Sequence, residues 1–224
     1  MYRLDAHQVL RVPEFETFSW LEHGFGTRLS GDWPGEQNRA TLKQIHSAKV
    51  TVANRQGVLG EGDALATDHL GLFVAIRTAD CIPVLLVDPE HRAVAAVHAG
   101  WRGTAGNIVR CTIDTLVSVF HSEPARLWAA IGPGIGKCCY EVSGDVASRF
   151  GPWMPEHANA ADRTMLDLTE VNRRQLIEAG LRPEQVLGTG DWCTRCQPEL
   201  LHSFRRDKKE SGRMQSAIRI LPPA

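Results

Sequence analysis

Nowhere in the 224 residues do about 18 apolar side chains run together, and the N-terminal stretch lacks a basic segment followed by an apolar one. Neither a transmembrane helix nor a secretory leader is therefore expected. Charge of one sign is also lacking: 25 Lys and Arg face 26 Asp and Glu, for a net charge of -1. No global basic field draws nucleic acid or an anionic membrane, so any anion site must be local. Six cysteines are too sparse for a disulfide framework in a chain this long, and the adjacent Cys138 and Cys139 suit reduced thiols. A cytoplasmic location follows as an expectation. Internal repeats, heptads and low-complexity tracts are missing. So are the G-x-S-x-G, H-E-x-x-H and H-x-E with P-C-x-x-C signatures, which removes the familiar hydrolase, zinc-protease and cytidine-deaminase readings.

What is present suits one sizeable core, with 43% hydrophobic and 23% charged residues, and predicts a single domain over residues 1–224. The chain is organised around Arg77 to Val109. Ile82 to Val87 and Ala93 to Val97 are short, continuously apolar runs joined by the turn-like DPEHR, which predicts two buried neighbouring strands. Cys81 opens the first and His98 closes the second. A hairpin would bring that thiol and that imidazole into one pocket. GWRGTAG, from Gly100, then leads into a predicted amphipathic helix with Val109, Ile113, Leu116, Val117 and Phe120 on its apolar face, and its start offers N–H groups to an anion.

Elsewhere, Leu42 to Val52 reads as a strand carrying His46, Glu61 to Thr67 as a turn with Asp63, and Leu70 to Ile76 as a further strand. Leu127 to Ile131, Val186 to Thr189 and Ser216 to Ile220 are short strand candidates. Asp167, with Glu170 three residues on, predicts a capped helix ending near Gly180. Cys193-Thr-Arg-Cys196 is a single C-x-x-C, which by itself does not define a zinc knuckle.

His46, Cys81 and His98 supply two nitrogens and one sulfur, a mixture appropriate for zinc, with a fourth position left for water or substrate. The same atoms allow a second use, with Cys81 as nucleophile, His98 as base and glycine-loop N–H groups as an oxyanion site. Separations of 35 and 17 residues match no short zinc motif. Residue pattern alone leaves both uses open, alongside a buried thiol near unrelated histidines.

QIHSAKV, EGDALAT, TADCIPVLLVD, AVHAGWRGTAGNIV, IGPGIGKCCYEV and HSFRRD followed by GR together resemble the multicopper polyphenol oxidoreductase, or laccase-like, family. Its members are also described as purine nucleoside phosphorylases and as a peptidoglycan-editing factor. The match runs from Gly24 to Ile220. The resemblance implies a single-domain α/β sandwich of mixed β-sheets with flanking helices, and a metal site on His46, Cys81 and His98, with zinc as its ion and copper possible. It implies phosphorolysis of adenosine, inosine, guanosine and methylthioadenosine, with adenosine deamination as a second activity. The partners are then small purine nucleosides and phosphate. Copper-dependent polyphenol oxidation is an alternative that needs several histidine-rich sites, whereas the nine histidines here form no H-x-H pair. A more distant resemblance to toxin deamidases with a Cys-His pair keeps a metal-free hydrolase or amidase, acting in peptidoglycan editing, as a further alternative. A non-catalytic module held together by zinc is another.

Phosphorolysis requires cationic or N–H ligands for phosphate and help for the departing base. Arg102 and its helix start are the first choice for phosphate, followed by Arg28 and Arg205. Deamination instead needs an acid to shuttle a proton, and Asp80 or Asp63 is the candidate, although Asp80 would face away from Cys81 if both lie in regular strand. One departure stands out: only SGDWPGEQNRAT separates the GFGTR-like block from the QIHS-like strand, where family chains carry more, so a more open pocket is expected.

Overall fold

The two apolar runs around DPEHR become the antiparallel strands Ile82–Asp88 and Ala93–Ala99, paired from Asp88 opposite Ala93 to Ile82 opposite Ala99. All their side chains are buried, because alternate residues enter two different cores. Ile82, Val84 and Leu86 pack towards helices, while Leu85 and Val87 pack towards a second sheet. The computed structural model describes residues 2–188 and 192–223.

This hairpin lies at the centre of a six-stranded sheet. Its order is Val186–Gly188, Trp128–Ile131, Ile82–Asp88, Ala93–Ala99, Ala64–Thr67 and Val50–Val52, with parallel pairs at both edges. A seven-stranded sheet faces it, with Met214–Ile220 between Leu21–Phe25 and Phe73–Thr78. Phe25, Ile76, Ile218 and Leu65 meet between the sheets. On the other face of the six-stranded sheet lie the helices Ile108–Phe120 and Leu168–Glu178, which contribute Ile113, Leu116, Val171 and Leu176. The result is an α/β sandwich of mixed sheets with flanking helices, as the family resemblance implies. Asp167 caps the second helix by accepting from Glu170 N at 3.0 Å, as predicted, and Gly180 past its end has φ of +107°.

Several predicted elements differ. Leu42 to Val52 is not one strand: Arg39–Lys43 belongs to the seven-stranded sheet and Val50–Val52 to the six-stranded one, with His46 in the crossover. The Glu61 to Thr67 segment is mostly strand, ending Gly57–Glu61 and forming Ala64–Thr67, with the turn confined to Gly62 and Asp63. The strand expected from Leu70 begins at Phe73, and Leu70 makes only an isolated bridge to Ile220. GWRGTAG forms its own short helix, Trp101–Ala105, which breaks before Asn107, at φ of +59°. Val117 lies on the exposed side of the longer helix that follows, whereas Ile108 is buried. Thr189, expected to end a strand, lies outside the described residues. No helix among those residues is long and apolar enough to cross a membrane.

Candidate active site

Pairing Ala99 with Ile82 places Cys81 beside the end of the neighbouring strand, next to His98. His46 arrives from the crossover, and its ring stands edge-on to that of His98 with centroids 4.9 Å apart. The ligand atoms of His46, Cys81 and His98 all lie within 4.8 Å of one another. The convergence expected from the sequence is therefore present. Gly100 makes it possible: a Cβ there would stand 3.0 Å from Cys81 Sγ and 3.0 Å from His46 Cδ2.

Asp63 holds this arrangement from behind. Its Oδ1 takes a hydrogen bond from His46 N at 2.9 Å and lies 2.8 Å from His98 Nδ1, while Oδ2 accepts from Ser47 N at 2.6 Å and Ser47 Oγ at 2.7 Å. These bonds offset the left-handed backbone of His46, at φ of +59°. They also fix His98 so that its Nε2 faces the thiol side. Burial opposes the Asp63 charge, but its bonds to His98 and Ser47 outweigh that and hold its carboxyl down at about 2. Burial likewise disfavours a charged His98, yet Asp63 and Cys81 raise it to about 9. Burial pushes the Cys81 thiol up, and bonds from His46 and His98 bring it down to about 7.

The three groups open into a cleft of about 870 Å³, a size suited to a small ligand. Its lining includes Arg77, Lys43, Arg205, Lys208 and Arg213, against Asp80 as its one carboxylate. Arg77, Arg205, Lys208 and Arg213 form no ion pair among the described residues. Tyr140 also lines it, with Arg205 over its ring at 5.4 Å. Burial and the nearby Cys81 push its phenol up to about 12, so its hydroxyl keeps its proton.

The remaining predicted residues divide. Arg205 is in the cleft, but Arg28 is not among its lining residues and donates to the Pro198 carbonyl. Arg102 is also elsewhere, its guanidinium 4.3 Å over the Trp101 ring beside a separate depression lined by Ala105, Gly106 and Arg149. The Arg102 charge still reaches Tyr140 in the cleft wall. Asp80 lies outside the regular strand, at φ of +87°, so strand alternation does not turn it away from the cleft. Both its oxygens are engaged: Thr194 Oγ1 donates to Oδ1 and Arg205 N to Oδ2, each at 2.6 Å. That suits positioning better than proton transfer, and Asp63, behind His98, is no better placed to carry a substrate proton. Sequence reasoning missed Arg77, Tyr140 and Arg213. Arg77 stands four residues before Cys81, and Tyr140 follows the glycine loop at once, signals that were there to be read.

A donor set of two imidazoles and one thiol fits a zinc-type ion, and the Asp63–His98 bond supplies the outer support such ligands commonly have. Among the described residues, groups of at least three His, Cys, Asp or Glu side chains able to share an ion are this one and a cluster of four cysteines. Neither is the histidine-rich arrangement of a multicopper centre.

A Deinococcus radiodurans protein named purine nucleoside phosphorylase is 42% identical over 185 residues, covering 80% of this chain and 69% of that protein. One named adenosine deaminase RL5, from an unknown prokaryotic organism, is 32% identical over 195 residues, covering 79% of this chain and 72% of that one. The crystal structure of a Bacillus licheniformis hypothetical protein, YfiH, superposes with a TM-score of 0.88 over 99% of both chains at 29% identity. Residues 27–221 match the family described as multi-copper polyphenol oxidoreductase laccase, and with these relatives beside that match the chain belongs to this family.

Proposed function

We propose that this chain, acting as one domain over residues 1–224, is a zinc-dependent purine nucleoside phosphorylase. Its substrates are adenosine, inosine, guanosine and methylthioadenosine, and deamination of adenosine is its second activity. The observation that carries this reading is the opening of His46, Cys81 and His98 into a cleft that Lys43, Arg77, Arg205, Lys208 and Arg213 also line. The names of the relatives point to the same chemistry.

His46, Cys81 and His98 would hold the ion. Bound there, zinc supplies Lewis acidity at neutral pH, the property that activation of water and polarisation of an electrophile both require. Arg205, Arg213 and Arg77 replace Arg102 and Arg28 as the candidates for binding phosphate, held where it can attack the ribose anomeric carbon. Tyr140 offers a protonated hydroxyl to the departing purine. Asp80 fixes the start of the segment carrying Arg205, and Asp63 fixes His98; both are positioning residues. The fit to copper is less good, since no second nitrogen-rich ligand group lies within the described residues.

The test is chromatography of products after incubation with adenosine, with and without phosphate and with a chelator. Phosphate-dependent adenine and ribose 1-phosphate support the phosphorylase, and inosine formed without phosphate supports the deaminase. Chelation and Cys81→Ala should each abolish both products. A fully active Cys81→Ala protein would sink the proposal.

A second reading has one observation in its favour: Cys81 is paired with two imidazoles and its thiol is brought to about 7, as in a cysteine nucleophile. That amidase would act on amide substrates and survive chelation.

A further inference from the structure

Apart from the cleft, the molecule brings four cysteines together from two distant segments. Gly136 to Cys139 forms one tight turn, with Cys139 N donating to Gly136 O at 2.9 Å. Cys193 to Cys196 forms another, with Cys196 N donating to Cys193 O at 3.1 Å. The two are sewn together by the parallel bridge of Gly134 with Cys193 and by Thr194 N donating to Gly134 O at 2.9 Å. Each turn presents two sulfurs. All four Sγ atoms lie within 4.8 Å of one another, and Cys196 Sγ is 3.7 Å from that of Cys138 and 3.4 Å from that of Cys139.

We propose that Cys138, Cys139, Cys193 and Cys196 form a second, structural zinc site of four thiolates, separate from the His46, Cys81 and His98 group. Zn–S bonds of about 2.3 Å in a tetrahedron place sulfurs about 3.8 Å apart, close to the spacing found here. All four cysteines are free thiols, so none is committed to a disulfide. Gly136 N donates to Cys193 Sγ at 3.3 Å, the N–H···S support that a thiolate ligand uses. Gly136 lies directly against the cluster: a Cβ there would stand 3.2 Å from Cys193 Cβ and in ordinary contact with Cys138 Sγ and Cys193 Sγ, at 3.4 and 3.5 Å. Four protein sulfurs close the coordination sphere, which makes the site structural and leaves no position for substrate. On binding, the four thiol protons pass to solvent and no electron is transferred.

The site has a purpose for the cleft. It clasps the loop that carries Tyr140 to the segment that carries Thr194, whose hydroxyl donates to Asp80 next to Cys81. Loss of zinc there would loosen one wall of the cleft without removing any group from the His46, Cys81 and His98 set. The proposal does not depend on which reaction the cleft performs.

The experiment uses the full chain, purified under reducing conditions and reloaded with zinc alone. His46→Ala with Cys81→Ala empties the cleft site and should leave one equivalent of zinc, with X-ray absorption reporting sulfur neighbours at about 2.3 Å. Cys138→Ser with Cys196→Ser should lose that equivalent and keep the other. Because either pair of substitutions can disturb folding, alkylation of the unmodified protein, mapped by peptide, gives an independent answer. Zinc should slow modification of Cys138 and Cys196 together, by about tenfold or more, even though both are exposed. Equal alkylation rates with and without zinc would overturn the proposal. So would iron and labile sulfide found in place of zinc, or a zinc shell containing nitrogen in the protein whose cleft site has been emptied.

Discussion

Asp63 makes more of the candidate site than any residue that faces the cleft. One buried carboxylate accepts from the crossover backbone at His46 and Ser47 and contacts the His98 ring, so it sets the position of two of the three candidate ligands. Outer-shell partners of this kind typically change metal affinity or activity by about 10–100-fold when replaced. Asp63→Asn keeps the shape and removes the charge, and should weaken zinc affinity by about that factor, measured by competition with a chromophoric chelator. Turnover at saturating zinc should recover further than turnover at limiting zinc. If affinity is unchanged, Asp63 only shapes the loop and the imidazole needs no such support. The residue itself is easy to see in the sequence, in GDALA, but its role is not. A carboxylate near strand ends looks like a proton carrier until the fold shows it behind the histidine.

At the scale of elements, the close approach of Gly100 to the cluster is the feature most open to test. It joins the strand Ala93–Ala99 to the short helix Trp101–Ala105, with ordinary backbone angles of φ -71° and ψ 166°, so alanine there meets no backbone penalty. Its Cβ would instead press on Cys81 Sγ and His46 Cδ2, both at 3.0 Å. Gly100→Ala should therefore lower kcat/KM by about 10²-fold, the scale of a misplacement near 1 Å. Its Tm should fall only a few degrees, since Sγ and the exposed His46 ring have room to give. Steady-state kinetics beside thermal melts would check this, and unchanged kinetics would mean the cluster tolerates the shift. The elements on either side were the most legible part of the sequence, because a run buried on both faces needs no alternation to be recognised as strand. His46 and Arg102 were the least legible. The apolar pattern from Leu42 to Val52 continues straight through a change of sheet, and nothing local to GWRGTAG tells that Arg102 lies over Trp101 and lines a separate depression. The four-cysteine cluster was half visible: C-x-x-C shows one turn, while its partner lies more than fifty residues earlier and is joined to it only by the tertiary fold.

For the molecule as a whole, the two sheets share one core, and a titratable group is buried beside it. His23, in Leu21–Phe25, is 2% exposed, packs edge-on against Phe15 at 5.2 Å, and its Nε2 accepts from Val12 N at 2.9 Å. Burial, and then the nearby Arg11, hold its imidazole down at about 3, against 6.5 for the exposed group. The folded protein thus keeps His23 neutral where the unfolded chain already binds a proton. Stability from this residue is complete above about 6.5 and drains away as pH falls towards about 3. At 1.36 kcal/mol per pH unit across such a window, a loss of about 2–4 kcal/mol is expected once relaxation and solvent entry are allowed for. His23→Gln retains an acceptor for Val12 and removes the titration. The variant should be the less stable protein at pH 7, by about 1 kcal/mol, for lost packing against Phe15. Urea melts at successively lower pH should then show the gap closing and reversing before pH 4, while both proteins lose stability through their carboxylates. A gap that stays constant with pH would mean that His23 takes up its proton inside the fold and that the acid limit of the sandwich is set elsewhere.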